Sequence, residues 1–380
     1  MDFLLRDEQR MARDMVREFA DREMSPVVGA LERAGEYPAA IIARLVDLGI
    51  LGMTIPEEFG GSAFDSVTVA LVMEEIARVC ASTAVTVSVH NSAAASPIAI
   101  FGTRAQKQRY LPAMARGEII GGFALTEPGC GSDAAAVRTR AVKRGERYVL
   151  NGTKTWITNV RVGGVFVLMA VTDPSAGRRG ISAFLVEPSL PGFAFGKDED
   201  KMGLRSSTTG MIVLTDCEVP ESSLLGEEGM GLRVALSTLD GGRIGIAAQA
   251  LGIARGAYEA ARLYAKQRTA FGKTVADFQA IRFMLADMAT EIEAARLLIL
   301  RAADMRDRGE KSYGPQAAMA KLYASEMANR VAYKAVQIHG GYGYSKEYAV
   351  ERMYRDARVT TIYEGTSEIQ RTVIARHLIA

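Results

Sequence analysis

Arg147-Tyr148-Val149-Leu150-Asn151-Gly152-Thr153-Lys154-Thr155-Trp156-Ile157-Thr158 is the stretch on which the reading of the fold turns. Apolar and aromatic residues run up to Asn151-Gly152, a strong short-range hairpin signal, and the β-type pattern resumes at Thr155-Trp156-Ile157-Thr158. The same character continues downstream. Residues 165–171 and 181–186 are short apolar runs that read as buried strands, closed by Asp173-Pro174 and Glu187-Pro188, and residues 211–214 read as another. No helical pattern separates them. Residues 119–231 therefore predict a small antiparallel β-barrel or sandwich.

On either side the period changes. Upstream, over residues 1–118, Met11, Met15 and Phe19 recur at four-residue spacing. Ile41, Leu45 and Leu48 form a second stripe ended by Gly49, and Val69, Val72, Met73 and Ile76 a third. Downstream, over residues 232–380, Met284, Met288, Ile292, Ala295, Ile299 and Ala302 trace one long helical face, and Ala320, Ala324, Met327, Val331, Ala335 and Ile338 another. Gly309 and Gly314-Pro315 separate the two, which predicts an antiparallel helical bundle. The expected fold is α+β, mainly α: a helical N-terminal domain, a middle β-domain and a C-terminal bundle.

Composition removes several classes. The 380 residues are 48% hydrophobic and 24% charged, so a disordered or fibrous chain is excluded. Net charge is 46 − 44 = +2, which gives no reason to expect nucleic-acid binding. Cys80, Cys130 and Cys217 are far apart, as are His90, His339 and His377, so neither a disulfide framework nor a metal site is expected. Met1-Asp2-Phe3-Leu4-Leu5-Arg6-Asp7-Glu8 carries acids where a secretion signal would be basic. Residues 79–103 contain no Asp, Glu, Lys or Arg, but their Ser, Thr, His90, Asn91 and Pro97 point to a buried helical segment rather than a membrane span. A cytoplasmic protein is the expectation.

No Gly-x-Gly-x-x-Gly follows a strand, and Gly272-Lys273-Thr274 has Gln267 where a phosphate-binding loop needs glycine. Five polar segments remain. Phe123-Ala124-Leu125-Thr126-Glu127-Pro128-Gly129-Cys130-Gly131-Ser132-Asp133 runs from a strand into a loop that either presents N–H groups and hydroxyls to a ligand or is an ordinary turn. Trp156-Ile157-Thr158 holds the single Trp, a residue more often found in a core. Arg268 in Arg268-Thr269-Ala270-Phe271-Gly272 suits a pyrophosphate, or is a surface Arg at a helix end. Gln337-Ile338-His339-Gly340-Gly341 is a helix stop that also admits close backbone approach. In Thr361-Ile362-Tyr363-Glu364-Gly365-Thr366-Ser367-Glu368-Ile369-Gln370, Ser367 to Gln370 fits a capping box and Glu364 precedes the helix. In an apolar pocket such a carboxylate becomes a general base; in a loop it is a solvated charge.

In this order the five segments resemble the acyl-CoA dehydrogenase family, over nearly the whole chain. Ser88-Val89-His90-Asn91-Ser92 and Leu239-Asp240-Gly241-Gly242-Arg243-Ile244-Gly245 are similar to its short-chain, butyryl-CoA-dehydrogenase-like branch. The resemblance implies that the bundle has four helices and that FAD lies between it and the β-domain. Phe123, Leu125, Thr126, Gly131, Ser132, Trp156, Ile157 and Thr158 would hold the flavin end, with Thr158 close to N5. Arg268, Gln279, Gln337, Gly340 and Gly341 would reach the FAD of a neighbouring subunit, Phe271 would also bind the cofactor, and Thr366, Ser367 and Glu368 form the cofactor-binding turn. Ser132, Asp240, Arg243 and Gly365 would contact acyl-CoA.

The resemblance makes Glu364 the base that removes the pro-R α-proton while flavin N5 takes the β-hydride. The Glu364 N–H and a ribityl hydroxyl would polarise the thioester oxygen; such donors are commonly worth about 3–4 kcal/mol each. Some relatives carry the base just before the Arg243 equivalent, where this chain has Gly242. The family also implies a homotetramer, a dimer of dimers, and an electron-transferring flavoprotein as acceptor. Other flavin chemistries on the same scaffold, oxidase or monooxygenase, and a catalytically silent FAD-binding member are the alternatives.

Overall fold

The computed structural model describes residues 4–379. Met1, Asp2 and Phe3, the start of the N-terminal reading, and Ala380 lie outside the described residues. The first zone is helical: α1 (Asp7–Phe19), α2 (Ser25–Ala34), α3 (Ala39–Asp47), α4 (Ser66–Val79), α5 (Ala81–Ser88), α6 (Ser96–Phe101) and α7 (Arg104–Ala115). A π-wound turn, Ala20–Met24, joins α1 to α2, and a second, Val89–Ala95, joins α5 to α6. Start signals are satisfied locally. Asp65 accepts from the Thr68 N–H ahead of α4, and Thr103 and Gln106 form a reciprocal capping box on α7. The buried face of α1 is Gln9, Ala12, Val16 and Phe19, so Met11 points to solvent and the expected stripe lies one position off. The uncharged stretch is helical and largely inside the fold. Ala81–Phe101 has the length and hydropathy of a membrane-crossing helix, with 72% of that window buried.

The β-zone is one sheet of β1 (Ile120–Ala124), β2 (Arg140–Arg144), β3 (Arg147–Thr158), β4 (Gly163–Val171), β5 (Ile181–Val186), β6 (Phe193–Asp198), β7 (Thr209–Pro220) and β8 (Leu224–Leu225). Its order is β6-β7-β3-β2-β4-β5-β8, and β1 pairs with β4. Most pairings are antiparallel, but β1–β4 is parallel and Arg140 meets Val171 in a parallel bridge. The sheet folds over itself. Tyr148 on β3 and Phe184 on β5 meet edge to face at 5.0 Å although two strands separate them in the sheet. Phe166, Leu168 and Ala170 of β4 face that interior. Val165, Val167 and Met169 on the other side pack with Ile98, Leu111 and Met114. Burial on both faces explains the unbroken apolar run of β4.

Asn151-Gly152 is not the hairpin turn. The turn is at Gly145, and β3 runs straight through Asn151 and Gly152. The β3–β7 register shifts between Leu150 and Gly152, and the Asn151 amide pairs across that bulge with Asp216 (Nδ2 to Oδ1 3.0 Å, Asp216 N to Oδ1 2.8 Å). A Cβ at Gly152 would fall 2.4 Å from Thr139 Oγ1, so close packing requires the glycine here.

The last zone is α8 (Gly231–Gln267), a small hairpin β9 (Thr269–Ala270) and β10 (Lys273–Thr274), α9 (Gln279–Asp307), α10 (Tyr313–His339), α11 (Ala349–Val359) and α12 (Ser367–Ile379). Helices α8 to α11 pack on one another and α12 adds to α10. Gly272-Lys273-Thr274 thus belongs to a hairpin, with Phe271 and Gly272 both at positive φ (52° and 76°). Helix α4 lies against α8 and α9, so first and last zones share one core. Buried ion pairs tie them: Arg255 to Glu74 (2.8 Å) and Glu75 (2.7 Å), and Arg296 to Glu74 (2.7 Å).

Candidate active site

Glu364 stands in the short turn between α11 and α12 and faces α8. It has φ = 49°, a left-handed conformation unusual for a side-chain-bearing residue, and Gly365 follows at φ = 92°. Three hydrogen bonds hold this turn. Gln370 Nε2 donates to the carbonyls of Glu364 (3.2 Å) and Gly365 (2.9 Å), and Lys321 Nζ donates to that of Gly365 (2.7 Å). The cap of α12 is Thr366, whose hydroxyl accepts from the Ile369 N–H at 3.3 Å. The expected capping box is therefore displaced by one residue: Ser367 Oγ is buried without a partner, and Gln370 serves the turn instead.

The carboxyl of Glu364 lies against the glycine of α8. A Cβ at Gly242 would sit 2.3 Å from Oε2, so only a residue without a side chain leaves room for it. Oε2 is buried and has no hydrogen-bond partner. Burial pushes this carboxyl up to about 7, against the pull of Lys321 and Arg243. Arg243, one residue on along α8, is buried and pairs with Asp240; its Nε has no partner. Burial also raises Asp240, which Arg243 partly offsets. Tyr363 donates its hydroxyl to Gln249 Oε1, and Gln249 Nε2 donates to the Ala81 carbonyl at 2.8 Å.

The other polar segments come from the β-zone. Leu125 is buried, Phe123 and Thr126 are half-buried, and Gly131 and Ser132 are exposed on the loop after β1. A buried knot anchors that loop. The Glu127 carboxylate accepts from Arg138 N (2.7 Å), Thr139 N (3.0 Å), Thr139 Oγ1 (2.6 Å) and Lys154 Nζ (2.8 Å). Burial works to raise Glu127, but Lys154 and the Thr139 donors together hold it below the ordinary carboxylate range. The Thr155 N–H donates to the Thr126 carbonyl at 2.9 Å, joining loop to strand. Trp156 is not in the core. The β3–β7 register shifts again between Lys154 and Ile157, and Trp156, at φ = 59°, is turned out with 60% of its surface exposed. Ile157 points into the β-core, and Thr158 is half-buried at the strand end.

One line of contacts joins the two groups. Asn159 Nδ2, next to Thr158, donates to the Thr86 carbonyl of α5 (3.1 Å). Ser88 of α5 lies 3.0 Å from where a Cβ of Gly245 would be, and Gly245 is one turn along α8 from Gly242.

Three family models cover the chain: the acyl-CoA dehydrogenase N-terminal domain over residues 6–118, the middle domain over 122–217 and the C-terminal domain over 229–379. The chain belongs to the acyl-CoA dehydrogenase family. It is 49% identical over 375 residues to a mitochondrial short-chain specific acyl-CoA dehydrogenase of Bos taurus, covering 99% of this chain and 91% of that one. Among solved structures it superposes on butyryl-CoA dehydrogenase from Megasphaera elsdenii with a TM-score of 0.98 at 45% identity, covering all of both chains. It superposes equally, at 0.98 and 48% identity over all of both chains, on a chain from the structural study of the electron transferring flavoprotein of Acidaminococcus fermentans.

In this family member, Arg268, Gln337, Gly340 and Gly341 come together far from Glu364. With Tyr264 and Tyr342 they line a cavity of about 600 Å³ at the C-terminal end of α8. The Arg268 guanidinium lies over the Tyr342 ring, 5.5 Å from its centroid. Arg268 lies 268 − 242 = 26 positions beyond Gly242, about 39 Å of helix at 1.5 Å per step. Gln279 and Phe271 stand outside that cavity, Phe271 with 93% of its surface exposed at the hairpin tip. Glu368 is exposed in the first turn of α12. Lys321, Lys154 and Glu127 were not legible as site residues. The signal for Lys321 was a lysine on the alanine stripe of α10, three residues before Ala324 and four after Ala317.

Proposed function

We propose that the protein is an FAD-dependent dehydrogenase that converts short-chain acyl-CoA thioesters to trans-2-enoyl-CoA, its electrons leaving to an electron-transferring flavoprotein. The observation that carries this is the Glu364 carboxyl: buried, unpaired at Oε2, raised to about 7 and fitted into the gap left by Gly242. A base of that strength is matched to neutral pH and contributes typically 10²–10⁴-fold. Oε2 takes the α-proton, the Glu364 N–H donates to the thioester oxygen, and Asp240 and Arg243 contact the acyl-CoA.

The residues present fit FAD. Gly129 and Gly131 have nothing within 4 Å of a would-be Cβ, so backbone is open to a ligand, and Trp156 is exposed on the strand that the Thr155–Thr126 hydrogen bond joins to this loop. Phe123, Leu125, Thr126, Gly131, Ser132, Trp156, Ile157 and Thr158 would hold the flavin end, Leu125 and Ile157 through their backbones. Thr366, Ser367 and Glu368 would form the turn beneath it. FAD, when bound, supplies the acceptor for the β-hydride. The 39 Å separation argues that Arg268, Phe271, Gln279, Gln337, Gly340 and Gly341 serve the FAD of a neighbouring subunit, in a homotetramer built as a dimer of dimers.

The likeness to short-chain and butyryl-CoA dehydrogenases supports a short acyl chain as the substrate class. The membrane-length stretch is mostly buried in the fold, and we take the enzyme to work in the cytoplasm.

The test is anaerobic addition of butyryl-CoA to the yellow protein. Bleaching of the flavin band is expected. Glu364→Gln should stay yellow and bind substrate but lose turnover by at least 10²-fold. Near-native turnover in that variant would overturn the assignment of the base, and a protein that takes up no FAD would overturn the functional reading as a whole.

A further inference from the structure

We propose that Lys321 is a positioning residue for the reaction: a buried cation beneath the 363–366 turn that fixes the backbone next to Glu364 and favours the carboxylate over the acid. The proposal rests on Glu364 being the base.

Lys321 is fully buried on α10, where α10 packs against α8 and α12. A buried ammonium is expected to have an ion-pair partner. Among the described residues no carboxylate lies within ion-pair distance of Nζ, and its hydrogen bond goes to the Gly365 carbonyl at 2.7 Å. That carbonyl belongs to the Gly365–Thr366 peptide unit, one peptide beyond the one that follows Glu364. The backbone there is left-handed at both residues, φ 49° and 92°, a conformation worth about 1–3 kcal/mol of strain at the non-glycine position. It persists because Lys321 and Gln370 grip the two carbonyls from α10 and α12. Releasing either grip frees the turn to relax and turn the carboxyl away from Gly242.

The second effect is electrostatic. The charged and titratable groups around Glu364 are Arg243 and Asp240 from α8, Lys321 and Glu326 from α10, Glu368 from α12, Tyr363 in the turn and Asp356 from α11. Burial raises Glu364, and of these groups Lys321 and then Arg243 oppose it. Arg243 already has Asp240 as an ion-pair partner, whereas Lys321 has no ion pair among the described residues and feels Glu364 more strongly than Glu368 or Glu326. Burial correspondingly lowers Lys321 to about 8, with Glu364 pulling it back up. The two groups lie in the interior, where opposite charges favour each other's charged forms.

Three variants separate the two roles, each read as the pH profile of kcat/KM for butyryl-CoA between about pH 5.5 and 9.5, with flavin content and Tm recorded alongside. Lys321→Gln keeps a donor for the Gly365 carbonyl but no charge. Its acid limb should move up by about one unit, leaving roughly a tenth rather than half of the carboxyl ionised at pH 7, a loss of about fivefold that is recovered by pH 9. Lys321→Met loses both, so its limb should move likewise and its plateau should also fall. Lys321→Arg keeps the charge and should keep the limb. An acid limb within 0.3 units of wild type in flavin-replete Lys321→Gln overturns the proposal. If that variant does not fold, the same result in Lys321→Met, or a limb that moves as far in Lys321→Arg, overturns it. Retained turnover in Glu364→Gln would instead remove the base reading, whereas an inactive Glu364→Gln beside an unmoved limb in Lys321→Gln removes the role of Lys321 alone.

Discussion

Gly242→Ala puts the geometry of the base to a sharp test. The new Cβ would lie 2.3 Å from Oε2 of Glu364, 3.0 Å from its Cδ and 3.2 Å from Oε1. Ordinary Cβ contacts begin near 3.4 Å, so the carboxylate must retreat by about 3.4 − 2.3 = 1.1 Å. The obstacle is the far end of a rotatable side chain, so the fold adapts easily. Replacing glycine inside α8 by alanine should even favour the helix by about 0.5–1 kcal/mol. The chemistry does not adapt in the same way. A misplacement of about 1 Å at a reacting group is worth roughly 10²-fold in rate, close to 2.7 kcal/mol of barrier. The expected variant is as stable as wild type or more so, fully yellow, and about a hundredfold slower with butyryl-CoA in a stopped-flow bleaching assay. Gly241→Ala is the control, because its Cβ would meet the mobile guanidinium of Arg306 at 3.3 Å rather than the carboxylate. Turnover within threefold of wild type in Gly242→Ala would refute the claim that the carboxyl works from its place against α8.

Four further outcomes are expected. Lys154→Met leaves the Glu127 carboxylate buried without its cation and should lower stability by about 3–5 kcal/mol, with part of the loss recovered in Lys154→Met/Glu127→Leu; thermal unfolding of the two variants checks this. Asp356 is buried, accepts from the Leu204 N–H at 2.7 Å and is raised to about 7 by burial and Glu32. Its folded-state value is above its unfolded one, so its stabilisation is complete below about pH 4 and lost as pH rises through 7, by up to about 1.4 kcal/mol per unit. Asp356→Asn should therefore gain on wild type as pH rises across that window in denaturant titrations; the opposite trend of His90, lowered to about 4 by burial, is common to both proteins and cancels. Arg268→Ala should hold FAD some 10–10² times more weakly, seen as a lower flavin-to-protein ratio on dilution, while light scattering on wild type should give four subunits.

The three zones were legible because each has its own period and because long stripes such as Met288–Ile292–Ala295–Ile299 sum many weak signals. Single residues were not. Asn151-Gly152 carries a hairpin signature, yet side-chain pairing with Asp216 turned it into a bulge, a partner 65 positions away that no local pattern announces. Trp156 is of a residue type most often found in a core, and a second bulge turns it out to solvent. Glu364 was legible as a residue outside its helix, but the space that receives its carboxyl is made by Gly242, more than a hundred residues upstream. Lys321 escaped because its role depends on where the chain returns after α11.

Helix α8 is one unbroken element of 37 residues, with Gly242 and Arg243 about a third of the way along and Arg268 just past its C-terminal end. If each chain lends its Arg268 end to a neighbour's cofactor and keeps its own Glu364, the sites of a mixed assembly become chimaeric. Pair a chain carrying Arg268→Ala with one carrying Glu364→Gln. The first chain's site then has its own intact Glu364 and the second chain's intact Arg268, while both defects fall together in the other site. Two individually impaired chains, co-expressed, should therefore complement one another, regaining up to half of wild-type activity in each mixed pair.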